Sequence, residues 1–145
     1  MKSASSYYVA SFALLYCHAC LACPPLVVTE AWIREPPPSA RVAAGYFTID
    51  NHSDNAITIT SVQSECCEAV EMHRSIIVDD KASMSSTHQL SIAPRSSVKF
   101  APGDQHLMLI HPSVPIRRDT SVNINFQCSG GTKQLTEFKV LAARL

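Results

Sequence analysis

The chain has 145 residues, 46% apolar and 17% charged, with 12 Lys and Arg against 12 Asp and Glu. That length suits one domain around a single core, and a net charge of zero supplies no basic surface for nucleic acid. Nine prolines against four glycines, with the prolines spread as punctuation, favour short strands over long helices.

The first segment reads "MKSASSYYVASFALLYCHACLACPP". Lys2 gives a positive start, Tyr7 to Leu21 is mostly apolar, and small residues precede Pro24–Pro25, which is the pattern of a secretory signal. The apolar run is short for a membrane span. Cleavage after Ala22 divides the chain into a signal at 1–22 and one domain at 23–145, soluble and outside the cytoplasm. Cys23 then becomes the first mature residue. A lipoprotein signal calls for Leu three positions earlier, where Cys20 stands, so lipidation at Cys23 is left open. The C-x-x-C-x-x-C spacing of Cys17, Cys20 and Cys23 would suggest a metal or redox site in a mature cytosolic protein, but here at least the first two leave with the signal. Cys66, Cys67 and Cys128 remain. In an oxidising compartment Cys128 can pair with either neighbour of the vicinal pair, and the sequence does not choose between them. The vicinal pair is also a candidate for a soft metal.

Period-two alternation, the mark of half-buried strands, then recurs along the chain. It covers 28–35, 42–50, 56–63, 68–78, 88–94, 97–104, 106–112 and 121–128, and "KQLTEFKVLAARL" follows the Gly130–Gly131 turn. Pro36–Pro38, "NHSDN", Asp79–Asp80 and Pro112 break the segments, and "KASMSST" reads as a polar turn region. Eight or nine strands separated by turns predict an all-β sandwich with Greek-key connections. Its expected core is Trp32, Tyr46, Phe47, Ile57, Ile59, Val98, Phe100, Leu107, Leu109, Val122, Ile124, Phe126, Phe138 and Val140. A domain of this size folds without a metal staple, so a bound metal would be cargo or cofactor. Asn51-His52-Ser53 is formally a glycosylation sequon.

Residues 103–110, "GDQHLMLI", place His106 and Met108 two apart within an apolar run. On a strand they share one face while Leu107 and Leu109 take the other, so an imidazole and a thioether stand side by side. His73 and Met84 extend the set, with ten residues between them and twenty-one between Met84 and His106. Two imidazoles and two thioethers without a carboxylate are soft donors, suited to Cu(I) and poor for Mg²⁺, Ca²⁺ or Mn²⁺. Zinc rarely accepts Met. His-x-Met alone is a weak signal.

The full spacing H-x10-M-x21-H-x-M, starting from "EMH" at 71–73, resembles the signature of the periplasmic copper chaperone family PCuAC. "AWIREPPPSARVAAGYFTIDN" at 31–51, "VEMHRS", and "MSSTHQLSIAPRSSVKFAPGDQHLMLI" with its "PGxxHLML" piece are similar to the family's blocks and span most of the mature chain. The resemblance implies a cupredoxin-like β-sandwich and an exposed Cu(I) site made by His73, Met84, His106 and Met108. It implies Cu(I) as cargo, and weak binding of Cu(II) is left open. It also implies delivery to the Cu(A) centre of cytochrome c oxidase subunit II, alongside a Sco-type thioredoxin-like protein, in the periplasm. Contact with the membrane would come only through the partner. Cys66, Cys67 and Cys128 depart from the family pattern, and the His/Met-rich tail of some members is missing.

Other residues carry less. Met72 alternates to the core, His111 is a marginal candidate ligand, and His52 and His88 read as solvated. Glu68, Glu71 and Asp104 could steer a cation. No nucleophile–base pairing suggests an enzyme. Competing readings are a copper buffer or resistance protein, a blue-copper electron carrier using Cys128 as thiolate, and a metal-free interaction module.

Overall fold

The structure, a computed structural model, describes residues 26–78 and 81–142. The expected signal, Cys23 and the turn at Asp79–Asp80 lie outside the described residues. Ten strands follow in order: β1 (Leu26–Arg34), β2 (Val42–Asn51), β3 (Ile57–Gln63), β4 (Cys67–Val78), β5 (Lys81–Thr87), β6 (Leu90–Ile92), β7 (Ser96–Phe100), β8 (Gln105–Pro112), β9 (Ser121–Cys128) and β10 (Lys133–Leu141). They pair in the order β5-β4-β8-β2-β1-β10-β9-β3-β6, with β7 added on β2. β2 is shared between two partners on one edge, with Val42–Gly45 on β8 and Phe47–Asn51 on β7. On its other edge β1 runs antiparallel to β2 and parallel to β10, joining the two ends of the domain. The crossovers β4–β8, β2–β8 and β3–β9 make this the cupredoxin-like Greek-key sandwich the sequence predicts.

Alternation builds the core. Phe47 on β2 stacks on Phe100 of β7 at 4.4 Å between ring centres and meets Phe126 of β9 and Phe138 of β10 at 5.2 and 5.7 Å. Tilted and edge-on packing of this kind adds to the burial of the rings. Twelve of the fourteen expected core residues are buried. Trp32 and Val98 are half-buried instead. A bulge between Thr29 and Trp32, with Glu30 at φ 52°, resets the alternation of β1, so Ile33 enters the core and Trp32 lies outside against Tyr46. A bulge adds one residue to one strand and so reverses which residues point inward. The expected strand 88–94 shrinks to β6, and 97–104 ends at Phe100, ahead of the Pro102–Gly103 turn.

Asn51 and His106 are the buried polar residues among the described residues, with Asn51 1% exposed. Its Nδ2 donates to the carbonyls of Asn55, Ile92 and Ala93, and its Oδ1 accepts from Ser53 N and Oγ. The amide therefore ties the 52–55 turn to the segment after β6. In the fold, this sequon nitrogen is enclosed and fully engaged.

Candidate metal centre

β5, β4 and β8 lie side by side at one end of the ladder, with β5 on the edge. Opposite residues of an antiparallel pair point to the same face, and faces alternate along each strand. His73 stands opposite His106, Glu71 opposite Met108, and Ser75 opposite Met84. His73, Met84, His106 and Met108 thus share one face, while the alternate residues Val70, Met72, Leu107 and Leu109 are buried in the core. His73 occupies the middle strand of this face. The His106 ring lies 6.1 Å away, centre to centre. Met108 and Met84 are the diagonal neighbours of His73, each about 7–8 Å away at the backbone. They lie on opposite sides of it, so both sulfurs reach one point only by folding over the His73 ring, which the three rotatable bonds of Met permit. Met84 is 60% exposed and His106 8%, so the face grades from a buried imidazole to an open thioether.

Hydrogen bonds fix the tautomer of each neutral ring. His106 Nδ1 lies 3.0 Å from the carbonyl oxygen of Asp104, which only accepts. Nδ1 therefore carries the hydrogen, and in the neutral ring Nε2 keeps the lone pair. His73 Nε2 lies 2.8 Å from Glu71 Oε2, so that nitrogen donates, and in the neutral ring Nδ1 keeps the lone pair. His73 Nδ1 is buried and has no hydrogen-bond partner among the described residues. A buried unpaired acceptor is costly in a protein that has no use for it. Both arrangements follow a common pattern of metal sites, in which a ligating His donates its other ring N–H to a carboxylate or a backbone carbonyl. Asp104 is itself held, since its carbonyl also accepts from Ser75 N at 3.2 Å.

The donor chemistry is that of a soft ion. Among the described residues no group of three or more His, Cys, Asp or Glu converges to hold a metal ion. Zinc therefore has no four-ligand cage of its usual donors here. The remaining concentration of lone pairs is two imidazole nitrogens bordered by two thioethers, a combination that suits Cu(I).

Met84 lies on strand β5, which corrects the reading of 81–87 as a turn. β5 is an exposed edge strand, so both its faces carry polar residues and no alternation shows in the sequence. Glu71 and the Asp104 carbonyl do more than steer. They orient the two imidazoles, and Glu71 was discoverable because it stands two residues before His73 on the same strand. His111 bonds Glu68 instead, Nδ1 to Oε2 at 2.7 Å, and His52 and His88 are exposed.

The cysteines are also placed. Ser64, which opens the turn carrying Cys66, bonds Asn123 near the start of β9. Cys128 is at the far end of β9, opposite Ile59. Five residues of strand are roughly 17 Å, beyond the ~7 Å limit between disulfide-linked Cα atoms. A pairing of Cys128 with Cys66 or Cys67, which the sequence leaves open, is therefore excluded by the topology. β9 is also not among the strands that carry the two His, which removes Cys128 as the thiolate of a blue-copper centre. Cys66 and Cys67 instead touch each other, with their sulfurs 3.4 Å apart. The Cys67 thiol beside it brings Cys66 down to about 6, against the opposing effect of burial, and the same contact pushes Cys67 up.

Relatives place this geometry in context. Residues 26–140 match the family described as lipoprotein LpqE-like. No curated protein matches the chain. Among solved structures, the copper-bound PCuAC domain from PmoF2 superposes with a TM-score of 0.68 at 19% identity, over 81% of this chain and 92% of that one. Apo-DR1885 from Deinococcus radiodurans gives 0.64 at 22% identity, over 98% and 95%. Its Cu(I) form gives 0.64 at 24% identity, over 85% and 82%. These likenesses establish a shared fold, and with the family match they make the chain a member of the LpqE-like family built on the PCuAC sandwich.

Proposed function

We propose that this protein is an exported copper chaperone that carries Cu(I) on the β4–β5–β8 face. In this reading His73 Nδ1, His106 Nε2 and the sulfurs of Met84 and Met108 bind the ion. The observation that carries it is the buried Nδ1 of His73, without a hydrogen-bond partner among the described residues, beside an imidazole whose remaining lone pair in the neutral ring is Nε2. Support comes from the copper-bound state of the PmoF2 domain and the Cu(I) state of DR1885, two chains of the same fold. The lipoprotein name of the family supports export, and the periplasm is the compartment this reading assigns.

The donors account for transfer as well as binding. Two neutral imidazoles and two thioethers add no charge to the ion, so it is held without the strong pull of a thiolate. Met84, on the edge strand and mostly exposed, is the donor an incoming acceptor ligand would displace first. Exchange through a shared-ligand intermediate then passes copper on without releasing it. The acceptor we assign is the Cu(A) centre of cytochrome c oxidase subunit II, with a Sco-type thioredoxin-like protein alongside.

Met84→Ala and Met108→Ala should each weaken Cu(I) binding about tenfold or more in competition with a Cu(I) chelator. Met84→Ala should leave stability within about 0.5 kcal/mol, because the side chain is on the surface. Wild-type affinity in both variants would mean the ligands are misassigned. Deleting the gene and following Cu(A) assembly beside copper sensitivity tests the acceptor: a loss of tolerance with normal Cu(A) assembly would make the protein a buffer.

A further inference from the structure

The vicinal cysteines are not accounted for by the His/Met face. Neighbouring residues on a strand point to opposite sides, yet the sulfurs of Cys66 and Cys67 meet at 3.4 Å. They do so because Cys66 belongs to the turn that enters β4, and only Cys67 is in the strand. The turn is pinned from both sides. Ser64 Oγ donates to the Asn123 carbonyl at 2.7 Å, receives Cys66 N–H at 3.4 Å, and lies 3.3 Å from Cys66 Sγ. The Cys66 carbonyl accepts from Ser113 N at 2.8 Å and from Ser113 Oγ at 3.1 Å, while Cys67 is in register with Pro112 of β8. Two sulfurs are thus presented on a frame that does not have to be ordered on binding, which removes much of the entropic cost of chelation. Both are half-buried, reachable from solvent yet partly shielded.

We propose that Cys66 and Cys67 form a second metal site, a two-sulfur clamp for a monovalent soft ion, with Cu(I) as its ligand. Three features select that class. Thiolates favour soft ions. No third His, Cys, Asp or Glu joins the pair to make a metal-binding group among the described residues, which leaves zinc short of its four ligands and suits an ion content with two. Cys128 is too far along β9 to consume either sulfur in a disulfide. Binding needs no redox partner: one Cu(I) displaces the thiol protons, two Cu–S bonds form, and the protons leave to solvent. Cys67 lies on the same strand and face as Glu71 and His73, four and six residues before them, so the clamp and the His/Met site are separate stations on one face.

The test is Cu(I) stoichiometry on the reduced mature chain, with Cys23 and Cys128 kept in every arm. Wild type is compared with Cys66→Ser/Cys67→Ser and with Met84→Ala/Met108→Ala, at a chelator strength that reports both sites. Cys66→Ser alone is the second variant should the double change disturb the fold. The expected result is two equivalents in wild type and one in the cysteine variants. The copper left in the methionine variant should show sulfur-only coordination by X-ray absorption and a thiolate-to-copper charge-transfer band in the ultraviolet. A cysteine variant that binds as many equivalents as wild type overturns the proposal. The two sites fail independently: a single equivalent lost with the cysteines but retained without the methionines would sustain the clamp and sink the His/Met site.

Discussion

His106→Ala should lower Cu(I) affinity by more than about 100-fold, the largest effect expected of any single change on the metal face. Outer-shell partners of metal ligands are typically worth about 10–100-fold, and His106 would supply a nitrogen directly. It is also the most buried donor of the four, held in place by the Asp104 carbonyl. Glu71→Gln should cost about tenfold. Gln can still accept from His73 Nε2, but the carboxylate charge beside the imidazole is gone. The order of effects is the diagnostic: removal of the ring above neutralisation of its partner. Competition titration with a Cu(I) chelator reads both, and a thermal melt of each apo variant checks that the fold persists. Equal affinity in His106→Ala and wild type would exclude this face as the carrier of copper.

Asn51→Ala should destabilise the domain by about 3 kcal/mol and lower its melting temperature by roughly 10 °C. The Asn51 amide meets three carbonyls and the backbone and hydroxyl of Ser53. Alanine leaves the Ile92 carbonyl without this donor in a buried position, and buried groups that lose their partner cost about 1–3 kcal/mol each. Asn51→Asp separates the two halves of the network. It preserves the acceptor for Ser53 but turns a carboxylate toward three carbonyls, so its cost should be at least as large. Copper affinity should stay at the wild-type value in both, because Asn51 ends β2 on the β7 side, away from β8. A melt within about 1 kcal/mol of wild type would show that water replaces the side chain.

The strands were legible wherever one face is buried and the other wet. β2, β3, β8 and β9 announce themselves through alternation, and their inward residues are those found in the core. β5 was not legible, because an edge strand with polar residues on both faces has no hydrophobic period. Trp32 was misassigned to the core because one bulge reverses the facing of all that follows it on the strand, and a bulge leaves no reliable mark in composition. The disulfide was left open for a related reason: cysteine count says nothing about which ends of which strands are adjacent.

The four candidate donors were named from residue types, spacing and the resemblance to the PCuAC family, and the period-two rule placed His106 beside Met108. That placement is local, since it depends only on alternation along one strand. The chain alone could not say that β4 lies between β5 and β8, that His73 faces His106 in register, or that each imidazole has one nitrogen occupied and one left over. The register of β4 on β8 arises from hydrogen bonds between strands far apart in sequence, and the two imidazole bonds, each spanning only two residues, depend on ring orientations that only the folded sheet sets.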